Sequence, residues 1–418
     1  MHRNRALTVN PEVVMLQFSL TRPMRLVLIV LLIAIHIPTR VHAKSAIDSF
    51  YATPDSPPAK PGLLLKDEPF PGDVPAGVLL HRILFTTTRF DGEIAVASAL
   101  VVAPQPAVAT PVAAQSPGVI LWAHGTTGIA RQCAPSLMNA PLDEGIIPAL
   151  QPILAHGWTV VAPDYIGLGT EGPHPYLIGA PTAWSSIDAV RAARQMDAFS
   201  FGDATVVWGH SQGGAAALWI GIEQPTYAPD VPLAGIAAIA PASDLIGIAT
   251  TAIHAPSTGI FMLFALRAYS QVYPDVPWDD AINPADRDAV NKVVDHCLWQ
   301  PQLVEGLPEM NGLTALRFDV MAGPVLLRLT ENTPLAKITI PVLIAQGTMD
   351  EVVPFEVQER FVANWCEAGT VVDYREYAGR EHGSIVADDS PLIPDLMAWT
   401  VARFGNDAVP ATCSTTVE

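Results

Sequence analysis

Gly209-His210-Ser211-Gln212-Gly213 sets a serine between two glycines, after the apolar run 205–208 and before the helical stretch 215–223. A strand–turn–helix context is what a G-x-S-x-G elbow needs, because the turn is tight and the flanking glycines leave room for its backbone. The competing reading is a glycine-rich helix start capped by a serine. A serine hydroxyl is a weak nucleophile at neutral pH and needs a base within hydrogen-bond reach. Behind such an elbow the partners follow in the order serine, acid, histidine. Asp350 falls in the loop after the apolar run 342–345, and Glu381-His382-Gly383 places a histidine in the loop after the run 371–378. Ser211, His382 and Asp350 are therefore the candidate nucleophile, base and orienter for acyl transfer. Glu351 competes for the acid role, but a strand ending Gln346-Gly347 presents the next few residues at its carboxyl edge and favours Asp350. Histidines 124, 156, 174, 254 and 296 do not follow the last expected strand and read as structural.

A tetrahedral intermediate needs two backbone donors for its oxyanion. The amide of Gln212, next to the nucleophile, is one candidate. The other belongs to the loop after the third expected strand, His124-Gly125-Thr126-Thr127-Gly128, with Thr126 first and Thr127 second. A plainer role for that loop is to pack the elbow. No CxxC and no Cys/His cluster at zinc spacing occurs, so neither metal nor cofactor is expected.

These residues need a scaffold. Short apolar runs at 119–123, 159–162, 205–208, 236–240 and 342–345 alternate with helical stretches near 145–156, 184–199 and 212–224. Runs of that kind are strands buried on both faces. The class expected is α/β, an α/β-hydrolase fold with a mostly parallel central sheet covered by helices on both faces and an inserted helical cap. Residues 371–378 supply the expected last strand and 392–405 a closing helix. Asp91-Gly92, between apolar runs 83–85 and 94–102, signals a hairpin. Residues 51–80, rich in Pro and Gly, read as an extended arm, and 104–117 as a surface loop. The interval from Pro241 to Pro341 is too long for one βα connection. The divisions expected are a signal peptide at 1–43, core at 44–243, helical cap at 244–338 and core again at 339–418.

The run 26–37 is apolar apart from His36 and follows Arg22 and Arg25. As a helix it would rise about 18 Å, short of a bilayer core of roughly 30 Å. Val41-His42-Ala43 is a small-x-small cleavage pattern, so a signal peptide cut after Ala43 and export are expected, with translation beginning at Met1 or Met24. An uncleaved N-terminal anchor is the alternative. Cleavage would leave 18 basic and 40 acidic side chains, a net charge of −22. That field repels nucleic acid and anionic membrane surfaces. Four cysteines in an exported chain point to two disulfides, with three pairings open.

The sequence resembles the secretory lipase family, capped α/β-hydrolases best known from fungal lipases of the lipase A type. The resemblance rests on Cys133-Ala134-Pro135-Ser136, on residues 157–167, on the elbow, and on Cys297-Leu298 with Gln300-Pro301-Gln302. It extends to Asp350-Glu351-Val352-Val353-Pro354 and Glu381-His382. It implies the triad Ser211, Asp350 and His382, and the disulfides Cys133–Cys297 and Cys366–Cys413. In that family the cap forms an acyl-chain tunnel, which residues 259–266 could line, although burial within the cap is their plainer role. Two departures stand out. Fungal relatives carry an acidic residue in the loop that here reads His-Gly-Thr-Thr-Gly. Only five residues follow Cys413, so a site without the fungal C-terminal flap, favouring shorter soluble esters, is expected. The implied partner is a small-molecule or lipid ester, with no nucleic acid and no stable membrane anchor after cleavage. An acyltransferase or an amide hydrolase would use the same triad. A non-catalytic interaction protein would be expected to lack a triad member, and none is missing.

Overall fold

The computed structural model describes residues 47–105, 118–143, 145–252, 259–298, 316–317, 319, 321–408 and 413–418. The expected signal peptide, most of the surface loop at 104–117, His254 and Gln300-Pro301-Gln302 lie outside them.

In chain order the strands are β1 (Leu64–Pro69), β2 (Val78–Thr88), β3 (Ile94–Pro104), β4 (Val119–Ala123), β5 (Thr159–Pro163), β6 (Thr205–His210), β7 (Leu233–Ile239), β8 (Val342–Gly347), β9 (Val372–Tyr377) and β10 (Ser414–Val417). They form one sheet in the order β1-β2-β3-β5-β4-β6-β7-β8-β9-β10. The first three run antiparallel to their neighbours, and from β5 to β10 all pairings are parallel. The helices are α1 (Leu150–Ala155), α2 (Gly179–Ala193), α3 (Gln212–Tyr227), α4 (Leu245–Ala252), α5 (Gly259–Val272), α6 (Arg287–Val294), α7 (Gly323–Glu331), α8 (Phe355–Glu367) and α9 (Leu392–Phe404).

Successive strand side chains point to opposite faces, and here both faces are covered. Leu121, Val207 and Ile344 pack with Ile187 of α2, Leu218 of α3 and Phe361 of α8. Their neighbours Ile120, Val206 and Leu343 pack with Ile153 of α1 and Leu396 of α9. This double burial is why the strands read as unbroken apolar runs. Between β7 and β8, helices α4 to α7 gather Leu263, Phe264, Tyr269 and Val290 into a third cluster that also takes in Tyr176 and Ala215. Residues 259–266 belong to α5, and all but the half-buried Phe261 are buried. Cys133 is bonded to Cys297 and Cys366 to Cys413. Among the described residues no helix is long and apolar enough to cross a membrane.

Several expectations need correction. Residues 51–80 are not simply an arm, because Leu64–Pro69 pair with β2 as an edge strand. A bulge between Leu64 and Lys66, and side chains that are all half-buried or exposed, erase the alternation that would reveal a strand. The loop at His124 consequently follows the fourth strand of the chain, not the third. Residues 371–378 do not hold the last strand, since β10 pairs parallel to β9 beyond Cys413. The helix expected at 184–199 spans Gly179–Ala193. Met196 and Phe199, in the turn that follows, are buried and extend the apolar pattern past the helix end. The helix expected at 145–156 is only Leu150–Ala155.

Candidate active site

β6 ends at His210 and α3 begins at Gln212, so the chain reverses at Ser211 alone. Ser211 sits at φ 58° and ψ −119°, a backbone state that costs a non-glycine residue about 1–3 kcal/mol. Its carbonyl accepts the amides of Ala215 and Ala242, and its own amide donates to Ile239. Those three bonds hold the strained residue in place. A Cβ on Gly209 would lie 2.0 Å from the carbonyl oxygen of Gly213, and one on Gly213 would lie 1.9 Å from that of Ala123. Both positions are closed to any side chain.

The loops after β8 and β9 meet at this elbow. His382 Nε2 lies 2.8 Å from Ser211 Oγ, and His382 Nδ1 lies 2.8 Å from Asp350 Oδ2. The structure thus brings together residues separated by up to 171 positions. The Asp350 side chain is fully buried. Its Oδ1 accepts the amides of Val352 and Val353 at 2.9 and 2.8 Å, and its Oδ2 also accepts Gln346 Nε2 at 3.0 Å. Those donors fix the orientation of the carboxylate. Glu351, the competing acid, is exposed.

Two further side chains act on the triad and were not singled out from sequence. His210 Nε2 donates to the main-chain carbonyl of His382 at 2.9 Å, and the two rings lie 4.7 Å apart. Burial first, then the adjacent His382, pushes its pKa down to about 3, so the ring is neutral. Gln346 holds both Asp350 and the Val353 carbonyl. Both residues stand inside the motifs that drew attention to their neighbours, yet only tertiary contact reveals these bonds.

Gln212 is the first residue of α3, where backbone N–H groups have no intrahelical partner. Its side-chain Nε2 donates to His174 Nε2 at 2.9 Å, while His174 Nδ1 donates to the Ile166 carbonyl at 3.1 Å. Burial lowers the His174 pKa to about 3, which keeps Nε2 available as an acceptor. The loop 124–128 runs beside the elbow: a Cβ on Gly125 would lie 3.6 Å from Ser211 Cβ. Thr126 is half-buried, with Oγ1 2.9 Å from Tyr176 Oη. The carbonyl of Thr127 accepts Leu298 N, and Gln132 Nε2 donates to the Asp295 carbonyl. Together with the Cys133–Cys297 bond, these contacts tie the loop to the segment after α6. His124 is buried, which lowers its pKa to about 4, and its ring bonds only to main-chain carbonyls. Among the described residues no group of histidine, cysteine or acidic side chains is arranged to hold a metal ion.

A mostly parallel sheet clad on both faces, with an elbow serine, a histidine and a buried carboxylate at its carboxyl edge, defines an α/β-hydrolase. Solved structures agree on the fold. Candida antarctica lipase A matches with a TM-score of 0.73 at 20% identity, over 89% of each chain. The rice cell wall degrading esterase LipA from Xanthomonas oryzae matches at 0.58 and 20% identity, over 82% of this chain and 96% of that one. Residues 146–411 match the secretory lipase family, and the chain belongs to that family. Lipase 6 of Candida albicans is 26% identical over 68% of this chain and 65% of its own length. Secreted triacylglycerol lipase LIP7 of Malassezia globosa is 26% identical over 88% of this chain and 81% of its own. The chain spans less than two thirds of the length of the first Candida albicans relatives it matches, 65% of Lipase 6 and 59% of Lipase 4.

Proposed function

We propose that this protein is an exported serine hydrolase that cleaves carboxylic esters, including lipid esters, through an acyl-enzyme on Ser211. The observation that carries the reading is the continuous hydrogen-bonded line Ser211–His382–Asp350, with both links at 2.8 Å. His382 Nε2 takes the Ser211 proton as Oγ attacks the ester carbonyl. The oxyanion settles on the amides of Gln212 and Thr126, each such donor contributing about 3–4 kcal/mol to the transition state. The imidazolium then protonates the leaving alcohol, and water repeats the cycle to free the acid. Asp350 holds the proton on Nδ1 and stabilises the imidazolium. Helices α4 to α7 serve as a cap over the core. Export is supported by the family, by a relative named as secreted, and by two disulfides in one chain.

Hydrolysis of p-nitrophenyl esters from acetate to palmitate, beside Ser211→Ala, tests the reading. Activity that depends on Ser211 is expected, and the chain-length optimum separates lipase from esterase. Undetectable turnover at every length, or turnover retained in Ser211→Ala, overturns it.

A further inference from the structure

A cavity of about 620 Å³ lies far from Ser211. It opens where β8 and β9 begin, at Val342 and Asp373, whereas Ser211 and Asp350 follow the carboxyl ends of their strands. A six-residue strand separates the two ends by roughly 15–20 Å. The volume falls within the range of small-molecule sites, about 300–1,000 Å³.

Its walls combine an apolar surface with one under-used cation. Ile338, Ile340, Val371 and Trp399 supply apolar area. The two lining carboxylates are already engaged: Asp373 accepts Arg375 at 2.8 and 3.3 Å, and Asp395 accepts the Tyr377 hydroxyl at 2.9 Å. Arg403 is different. It is only 7% exposed, and its Nε has no hydrogen-bond partner. A buried guanidinium N–H without an acceptor is costly. Burial works against its charge, which is supported by the Trp399 ring, 5.5 Å from the guanidinium carbon, and by the more distant fields of Asp407 and Asp373. Lys337 stands exposed at the rim. The lining carries three cations, Lys337, Arg375 and Arg403, against two carboxylates, Asp373 and Asp395. A single negative charge balances that set.

We propose that this cavity is a second binding site, which takes a monoanionic carboxylate with an aliphatic body, its head on Arg403 and its chain along Trp399 and Ile338. The site does not depend on the chemistry assigned to Ser211.

Calorimetric titration of the whole protein with octanoate, octanol and octyl phosphate tests it, repeated on Arg403→Met and Lys337→Glu. Arg403→Met keeps the apolar stem, and Lys337→Glu alters an exposed side chain. Saturable one-to-one octanoate binding is expected, weakened at least tenfold by Arg403→Met and at least threefold by Lys337→Glu. Octanol should bind at least tenfold more weakly than octanoate, and octyl phosphate no more tightly. Absence of saturable binding, or equal affinity in wild type and both variants, overturns the site. Octanol matching octanoate, or octyl phosphate exceeding it, overturns the assigned ligand class.

Discussion

Asp350→Asn isolates what the buried acid contributes to the proposed reaction. Asp350 Oδ1 accepts two backbone amides, from Val352 and Val353. An asparagine must keep its carbonyl oxygen there, or two buried N–H groups lose their acceptor at about 1–3 kcal/mol each. Its amide group then takes the place of Oδ2, facing His382 Nδ1 and Gln346 Nε2. An amide nitrogen donates, so His382 must accept on Nδ1 and carry its proton on Nε2, towards Ser211. In that tautomer the ring cannot take the serine proton. The equivalent change in a serine protease triad lowers kcat about 10⁴-fold, which is about 5 kcal/mol of transition-state stabilisation. The assay is kcat on p-nitrophenyl butyrate beside Ser211→Ala, with thermal unfolding of each variant as a check on folding. A fall of about three to four orders of magnitude with KM little changed is expected. A fall below tenfold in a folded Asp350→Asn protein would refute the tautomer argument and return Glu351 to consideration.

Further outcomes follow from neighbouring contacts. His210→Phe removes the donor to the His382 carbonyl and should lower kcat by roughly 5- to 150-fold, the range that loss of a 1–3 kcal/mol hydrogen bond implies. An unchanged kcat in steady-state assays would remove His210 from the machinery. Gly209→Ala drives a Cβ to within 2.0 Å of a backbone oxygen and should yield protein that is unfolded or inactive, as circular dichroism and turnover would report. Full activity in a folded variant would mean the elbow is looser than drawn. Breaking Cys133–Cys297 with paired serines should cost about 2–4 kcal/mol, and somewhat more than breaking Cys366–Cys413, because it closes a separation of 164 rather than 47 residues. Denaturant unfolding of the two double variants gives that order directly. Asp164, bonded to Ser98 and Ser136, is held by burial at a pKa of about 6 against 3.8 for the free side chain. The folded chain therefore binds the extra proton between those values. Its contribution is full below about pH 3.8 and lost as pH rises through about 6, roughly 3 kcal/mol in all. Asp164→Asn should accordingly gain Tm relative to wild type between about pH 4 and about pH 7, whereas a constant difference would contradict the shift.

What the sequence made legible follows burial. Strands β4, β6 and β8 are covered on both faces, so their apolar runs stand out without help from partners. The elbow was equally plain, because its glycines answer a local steric demand that can be read from five residues. Edge strands carry no such mark. β1 shows its side chains half-buried or exposed, and three of the four residues of β10 are exposed. Their partners on β2 and β9, and in β10 the nearby bridge to Cys366, define them as strands. The disulfide pairing was suggested only by resemblance, since spacing alone left three solutions.

The same distinction explains which parts of the site stayed hidden. Ser211, His382 and Asp350 could be picked out because each residue type has chemistry to offer at a loop position. His210 and His174 hold that arrangement through bonds to a carbonyl and an amide on distant segments, and Gln346 through a bond to the carboxylate four residues further on. No residue type announces such a role, since histidine or glutamine beside an active loop is as often a surface polar group. Gln346 and His174 are buried and His210 is half-buried: where water is kept out, a polar group must bond to protein, and each such bond fixes a loop. The positioning of the triad therefore rests on polar residues whose meaning exists only in the folded chain. Variants there should erode turnover without touching the residues that carry out the proposed chemistry.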